Sequence, residues 1–165
     1  MKTDKVDQFL QQWLSERPDL DCAPMGIVGR LDRLSGFLEK AVDDELKKFE
    51  LSRWSFDVLA GLRRSGAPYR LSPNALLENL MITSGTMTNR IDQLERAGLV
   101  ERQLNPNDRR SVWISLTARG LALIDQAVTA HIANEQRMLN TLTEDERTQL
   151  ADLLRKLLGK FENQA

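Results

Sequence analysis

The chain has 165 residues, of which 41% are hydrophobic and 28% charged, with a formal net charge of −1 at pH 7. That length holds one domain with a substantial core, and no apolar run approaches what a membrane span needs. The opening segment MKTDKVDQFLQQWL lacks a secretory hydrophobic stretch, and Cys22, the single cysteine, excludes an internal disulfide, so a cytoplasmic protein without a membrane partner is expected.

Val6, Phe9, Leu10, Trp13 and Leu14 recur at helical spacing and predict a short amphipathic helix, ended by Arg17-Pro18-Asp19. A longer helix follows, with Ile27, Leu31, Leu34, Leu38, Ala41, Val42, Leu46 and Phe49 along one face. Leu51-Ser52 breaks it. Trp54, Val58, Leu59 and Leu62 define the next helix, which Gly66-Ala67-Pro68 stops.

Ser72-Pro73 reads as an N-cap followed by proline at the first helical position, opening a short helix through Leu76, Leu77 and Leu80. A second start at Thr83-Ser84 leads through Met87, Ile91 and Leu94 to Gly98, a residue suited to closing a helix. The alternating run Val100, Arg102, Leu104 then turns at Asn105-Pro106-Asn107-Asp108 and returns through Val112, Ile114 and Leu116. Two helices and a hairpin in that order predict a winged helix-turn-helix. Thr117 is an N-cap for a long helix carrying Leu121, Ile124, Val128, Ile132 and Leu139, with His131 expected on an exposed flank. Thr143 and Glu146 form a capping box for the last helix, whose stripe Leu150, Leu153, Leu154, Leu157, Leu158 and Phe161 calls for a covering surface.

The fold class expected is therefore mainly α with a small β-hairpin wing. Residues 1–50 hold an N-terminal helix and a dimerisation helix, 51–116 the winged lobe, and 117–165 the C-terminal dimerisation helices, all within one structural domain. A homodimer is expected because one small winged helix gives little sequence specificity, and paired half-sites need two-fold symmetry.

Charge is uneven along the chain. Residues 51–120 contain ten arginines, no lysine and six acids, whereas the whole chain is slightly acidic. A basic middle that coincides with a helix-turn-helix points to phosphate and to double-stranded DNA as a partner. At 100° per residue, Met87, Ile91 and Leu94 form the inward stripe of the second helix, while Gly85, Thr86, Asn89 and Gln93 point away. Asn89 and Gln93 suit bidentate pairing with adenine, Thr86 suits a thymine methyl, and Gly85 permits close backbone approach. Ser72, Ser84 and Thr88 suit phosphate positioning. Arg109 and Arg110 at the hairpin tip suit a narrow minor groove, and Arg110→Ala is expected to weaken operator binding by about 1–3 kcal/mol. With a single histidine and a single cysteine no metal site is expected. Neither a nucleophile elbow nor a Gly-rich phosphate loop occurs, so neither an enzyme nor a cofactor is expected.

Leu77 with Ser84-Gly85-Thr86-Met87-Thr88, then Leu94-Glu95-x2-Gly98-Leu99-Val100-Glu101-Arg102, Asp108-Arg109-Arg110 and Leu116-Thr117-x2-Gly120, together resemble the MarR family of bacterial transcription regulators. The resemblance covers about residues 25–162. It implies a dimer built from the first and last helices, winged lobes on a palindromic operator, and response to a small molecule. It also makes Arg110 the groove-inserting arginine, with Asp108 bracing it. The order Asn89-Arg90, the extra N-terminal helix carrying Trp13, Asp57 and Arg102 further resemble the urate-responsive, PecS-like branch. That resemblance implies a ligand site of Trp13, Asp57, Arg90 and Arg102.

Arg90 lies about 60° from Met87 on the wheel, flanking the apolar stripe, and Arg102 shares its strand with Val100 and Leu104. Two guanidiniums in a partly apolar groove need an anion, which Asp57 is expected to supply in the free protein. A planar anion such as urate would take over from Asp57 while stacking on Trp13, and the displaced carboxylate would be repelled. The expected function is a ligand-relieved repressor with urate or a related small anion as effector. Two alternatives stay open here: a MarR-type regulator answering phenolic compounds or oxidants through another pocket, and an interaction module whose winged helix no longer binds DNA.

Overall fold

A computed structural model describes residues 3–80, 84–105 and 108–162, with side chains except those of 79, 84–86, 105 and 108–111. The elements are α1 (Lys5–Glu16), α2 (Ala23–Leu46), a 3₁₀ turn (Lys47–Phe49), α3 (Arg53–Arg64), β1 (Arg70–Leu71), α4 (Pro73–Leu80), α5 (Ser84–Arg96), β2 (Val100–Asn105), β3 (Asp108–Leu116), α6 (Ala118–Met138) and α7 (Glu144–Glu162). They fall into two compact units, residues 1–43 and 44–165.

In the first unit the Asp4 carboxylate caps α1, accepting from the backbone N–H of Val6 and Asp7, while the Asp7 carboxylate accepts from the N–H of Asp4. The Arg30 guanidinium donates to both acids, at 2.8 Å to Asp4 and 2.5 Å to Asp7, so the capping box also pins α1 to α2. Hydrogen bonding to Arg30, its largest influence, holds the Asp4 carboxyl below its usual range. Ile27, Val28, Leu34 and Phe37 on α2 remain exposed.

In the second unit the core gathers around α3, whose Phe56, Val58, Leu59 and Leu62 are buried together with Leu46, Leu76, Met87, Ile91, Leu94, Val100, Ile114 and Ile124. Glu45, mostly buried at the end of α2, accepts from Lys48 at 2.8 Å and from Arg137 of α6 at 3.1 Å. The sheet is antiparallel with order β1-β3-β2, and Arg102 of β2 pairs with Ile114 of β3 while Asn105 pairs with Asp108. The short β1, pairing Leu71 with Ile114, adds a third strand to the expected hairpin. Two residues carry too little pattern for such a strand to be read in sequence.

The expected caps on α6 and α7 are present. Thr117 Oγ1 accepts from the N–H of Gly120 at 2.9 Å, and Glu146 accepts from the N–H of Thr143 at 2.8 Å. The stripe on α7 is exposed at Leu153, Leu154, Leu157, Leu158 and Phe161. His131 departs from expectation: its side chain is only 18% exposed, because α6 lays it against Phe56 of α3, ring centroids 4.9 Å apart. Glu135 on the next turn lies 3.1 Å from its Nε2.

Candidate nucleic-acid interface and ligand site

The helix-turn-helix is α4 followed by α5. Ser72 Oγ accepts from the N–H of Ala75 at 3.2 Å, which fixes the start of α4 and leaves the hydroxyl proton for another partner. The expected helix start at Thr83 lies outside the described residues, as do the side chains of Ser84, Gly85 and Thr86.

Along α5 the wheel holds. Met87, Ile91 and Leu94 are buried, and Thr88, Asn89 and Gln93 are exposed. Gln93 donates through Nε2 to Asn89 Oδ1 at 3.3 Å, so the two carboxamides one turn apart form a joined polar edge. Asp108, Arg109 and Arg110 open β3, and their side chains are likewise outside the described residues.

Gly98 (φ +68°) ends α5 in the left-handed conformation that a glycine adopts without strain. Its carbonyl accepts from Thr117 Oγ1 at 2.8 Å, tying the end of α5 to the start of α6.

Of the four residues expected at a ligand site, Trp13 belongs to the first unit. There it lines a cavity of about 280 Å³ with Phe9, Leu10, Met25 and Arg33. The other three belong to the second unit. Asp57 is open to solvent on one side and crowded on the other, and that desolvation raises its pKa against the pull of Arg53, Arg64, His131 and Arg90. Arg53 and Arg64 stand four residues before and seven after Asp57, so all three share a face of α3. The guanidinium of Arg90 rests over the Trp54 ring, 5.6 Å from its centroid. Sequence reading did not assign Trp54 this place; its signal was an aromatic residue three positions before Asp57.

Arg102 corrects the expectation that Asp57 would balance both arginines. Its guanidinium donates to Asp92 at 2.5 Å and to Glu95, and its backbone N–H donates to Glu95 Oε1 at 3.1 Å. The reason is local: Asp92 and Glu95, one turn apart on α5, face the edge strand β2, so they reach Arg102. Val100 packs into the lobe, whereas Leu104 is 72% exposed farther out on the wing.

The charge on Asp57 yields a pH prediction. A carboxyl whose pKa is raised on folding binds its proton more tightly in the folded state, so stability falls as pH rises through that pKa. Asp57→Asn should therefore raise the melting temperature at pH 7, and the gain should shrink as pH falls below the carboxylate range. Thermal melts at several pH values check it, and a gain that grows toward acid pH would contradict it.

This arrangement of α4, α5, paired β2 and β3, and the α6 start matches known proteins. A model described as the MarR family matches residues 51–112. The chain is 31% identical over 121 residues to the multiple antibiotic resistance protein MarR of Escherichia coli, covering 73% of this chain and 82% of that protein. The chain belongs to the MarR family. It is thus a DNA-binding transcription regulator and not an enzyme. It is also 46% identical over 158 residues to the HTH-type transcriptional regulator PecS of Dickeya dadantii, spanning 96% of this chain and 93% of that one. Among solved structures, a cysteine-to-serine mutant of E. coli MarR complexed with operator DNA aligns with TM-score 0.69 and 28% identity, over 88% of this chain and 97% of that one. Bordetella bronchiseptica BpsR, whose DNA binding is regulated by 6-hydroxynicotinic acid, aligns with TM-score 0.68 and 26% identity over 79% and 91%. Among the described residues no helix is long and apolar enough to cross a membrane, and no group of acids, His and Cys is placed to hold a metal ion.

Proposed function

We propose that this MarR-family regulator is a homodimeric repressor, acting in the cytoplasm, that holds a palindromic operator and is released by urate or a related small planar anion. The observation that carries the effector reading is the setting of Asp57, an acid whose charged form is disfavoured by desolvation while Arg53, Arg64, Arg90 and His131 surround it with positive potential. An anion whose charge is delocalised over a flat ring loses less on desolvation than a localised carboxylate, so it suits the arginines here, with Trp54 as a stacking surface. Trp13, Asp57 and Arg90 are assigned to it, with Arg102 joining only on leaving Asp92 and Glu95, and Arg90 sits on the reading helix, so ligand binding there acts directly on DNA contact. The heteroaromatic acid that regulates BpsR belongs to the same chemical class as this effector.

Operator contacts are assigned to Thr86, Asn89 and Gln93 at base edges, with Gly85 for close approach. Ser72, Ser84 and Thr88 go to phosphates, and Arg109 and Arg110, braced by Asp108, to a minor groove. The dimer reading rests on the rows of apolar side chains that α2 and α7 each leave exposed, faces that a partner surface would cover.

The test is binding of the purified protein to duplex DNA from upstream of its own coding sequence, with and without urate. Binding that urate abolishes supports repressor and effector together. Binding that ignores urate keeps the repressor and discards the effector. Light scattering of the free protein gives the oligomeric state, and a monomer would remove the palindromic-operator reading. On the same DNA, Arg110→Ala should weaken binding by about 1–3 kcal/mol, read from titrations at fixed salt; unchanged affinity would take the wing out of the interface.

A further inference from the structure

Arg102 makes three hydrogen bonds to α5, and every one of them leaves the wing for the reading helix. Its guanidinium donates to Asp92 at 2.5 Å and to Glu95, while its main-chain N–H donates to the other oxygen of Glu95 at 3.1 Å. Strand β2 is an edge strand of the sheet, so an N–H pointing away from β3 has no ladder partner. Glu95 supplies one. One carboxylate thus fixes both the backbone and the side chain of Arg102, and Asp92, a turn earlier, holds the remaining arm of the guanidinium. A single monodentate ion pair would permit sliding between strand and helix. Three bonds from two helical positions to one strand residue fix both spacing and rotation.

We propose that Asp92 and Glu95 are positioning residues for operator binding, which through Arg102 clasp the wing to the reading helix at the angle both need to enter DNA together. Neither acid touches DNA in this role. Their charge opposes binding: two carboxylates on the DNA-binding lobe repel phosphate, so any help they give binding comes through position and not attraction.

That opposition gives the test its sign. Asp92→Asn, Glu95→Gln and the double variant are compared with wild type on a duplex that the wild-type protein selects from a randomised library, with salt titrations alongside thermal melts. Loss of two negative charges should by Coulomb attraction alone tighten binding. The clasp predicts the reverse, a loss on the order of tenfold in the double variant. All three side chains are at least 30% exposed, so the melting temperature should move by less than about 4 °C. Asp92→Glu, which keeps a carboxylate within reach, should retain most of the affinity. Affinity that is unchanged or improved in the double variant would overturn the proposal. So would a loss that Asp92→Glu shares in full, or one that follows a matching fall in melting temperature.

Discussion

Gly120→Ala should lower the melting temperature by about 10 °C. A Cβ built at Gly120 would stand 1.9 Å from the carbonyl oxygen of Leu99 and 2.9 Å from its carbon. The obstacle is backbone, so no side chain can swing aside. Nor is that backbone free to move, because the Leu99 oxygen accepts from the N–H of Thr117 at 3.1 Å and Leu99 itself is buried. Relief requires α6 to slide off the base of the wing, breaking the Thr117 cap that Gly120 completes. Overpacking against a fixed group costs about 3 kcal/mol, and in a chain of this size each kcal/mol moves the midpoint by roughly 3 °C. Thermal unfolding by circular dichroism measures it. A midpoint within 2–3 °C of wild type, roughly 1 kcal/mol by the same scaling, would show that the α6 start yields easily and is no fixed anchor for the wing.

Gly120 also shows why this region could be read from sequence. Ser72-Pro73, Thr117 with Gly120, and Thr143 with Glu146 are local devices in which the residues that form a cap are three or fewer positions apart, so their chemistry is written contiguously. The same holds for the buried stripe Met87, Ile91, Leu94 and for the alternation through β2 and β3. What escaped was decided between elements. β1 exists because β3 offers it an edge at Ser115 and Ile114, and nothing within Arg70-Leu71 announces that. His131 is drawn inward by Phe56, a neighbour 75 positions away. Arg102 was paired with the wrong acid because helix α5 brings Asp92 and Glu95 beside an edge strand, a proximity that no spacing rule contains. Arg90 lies near enough to Asp57 to act on its charge, as expected, but also rests over the Trp54 ring, a neighbour that spacing alone does not reveal. The sequence names residue types for a candidate ligand site, and which partners each takes is decided between elements.

The second large effect is expected where two local and tertiary requirements meet, at Asn89 and Gln93. Both are exposed on α5 opposite its buried stripe, and Gln93 Nε2 donates to Asn89 Oδ1 at 3.3 Å. A carboxamide oxygen has two lone pairs, so Asn89 can accept from Gln93 and from a base at once while its NH₂ stays available to donate. That is what bidentate recognition of adenine needs, and the bond from Gln93 holds the Asn89 amide in one orientation before DNA arrives. Asn89→Ala should therefore weaken binding to the selected operator by about 2 kcal/mol, roughly thirtyfold, and relax base preference at one position of each half-site. Gln93→Ala should cost a similar amount, partly through its own base contact and partly by freeing Asn89. The double variant should then lose about 3 kcal/mol, short of the additive value, because once one partner is gone the other has already lost its orientation. Binding to random duplex should change little in all three, since no phosphate contact is removed and the salt dependence keeps its slope. Equal losses on operator and random DNA would instead make these side chains phosphate contacts. Strict additivity on the operator would mean that the bond between them does not outlast the encounter with DNA.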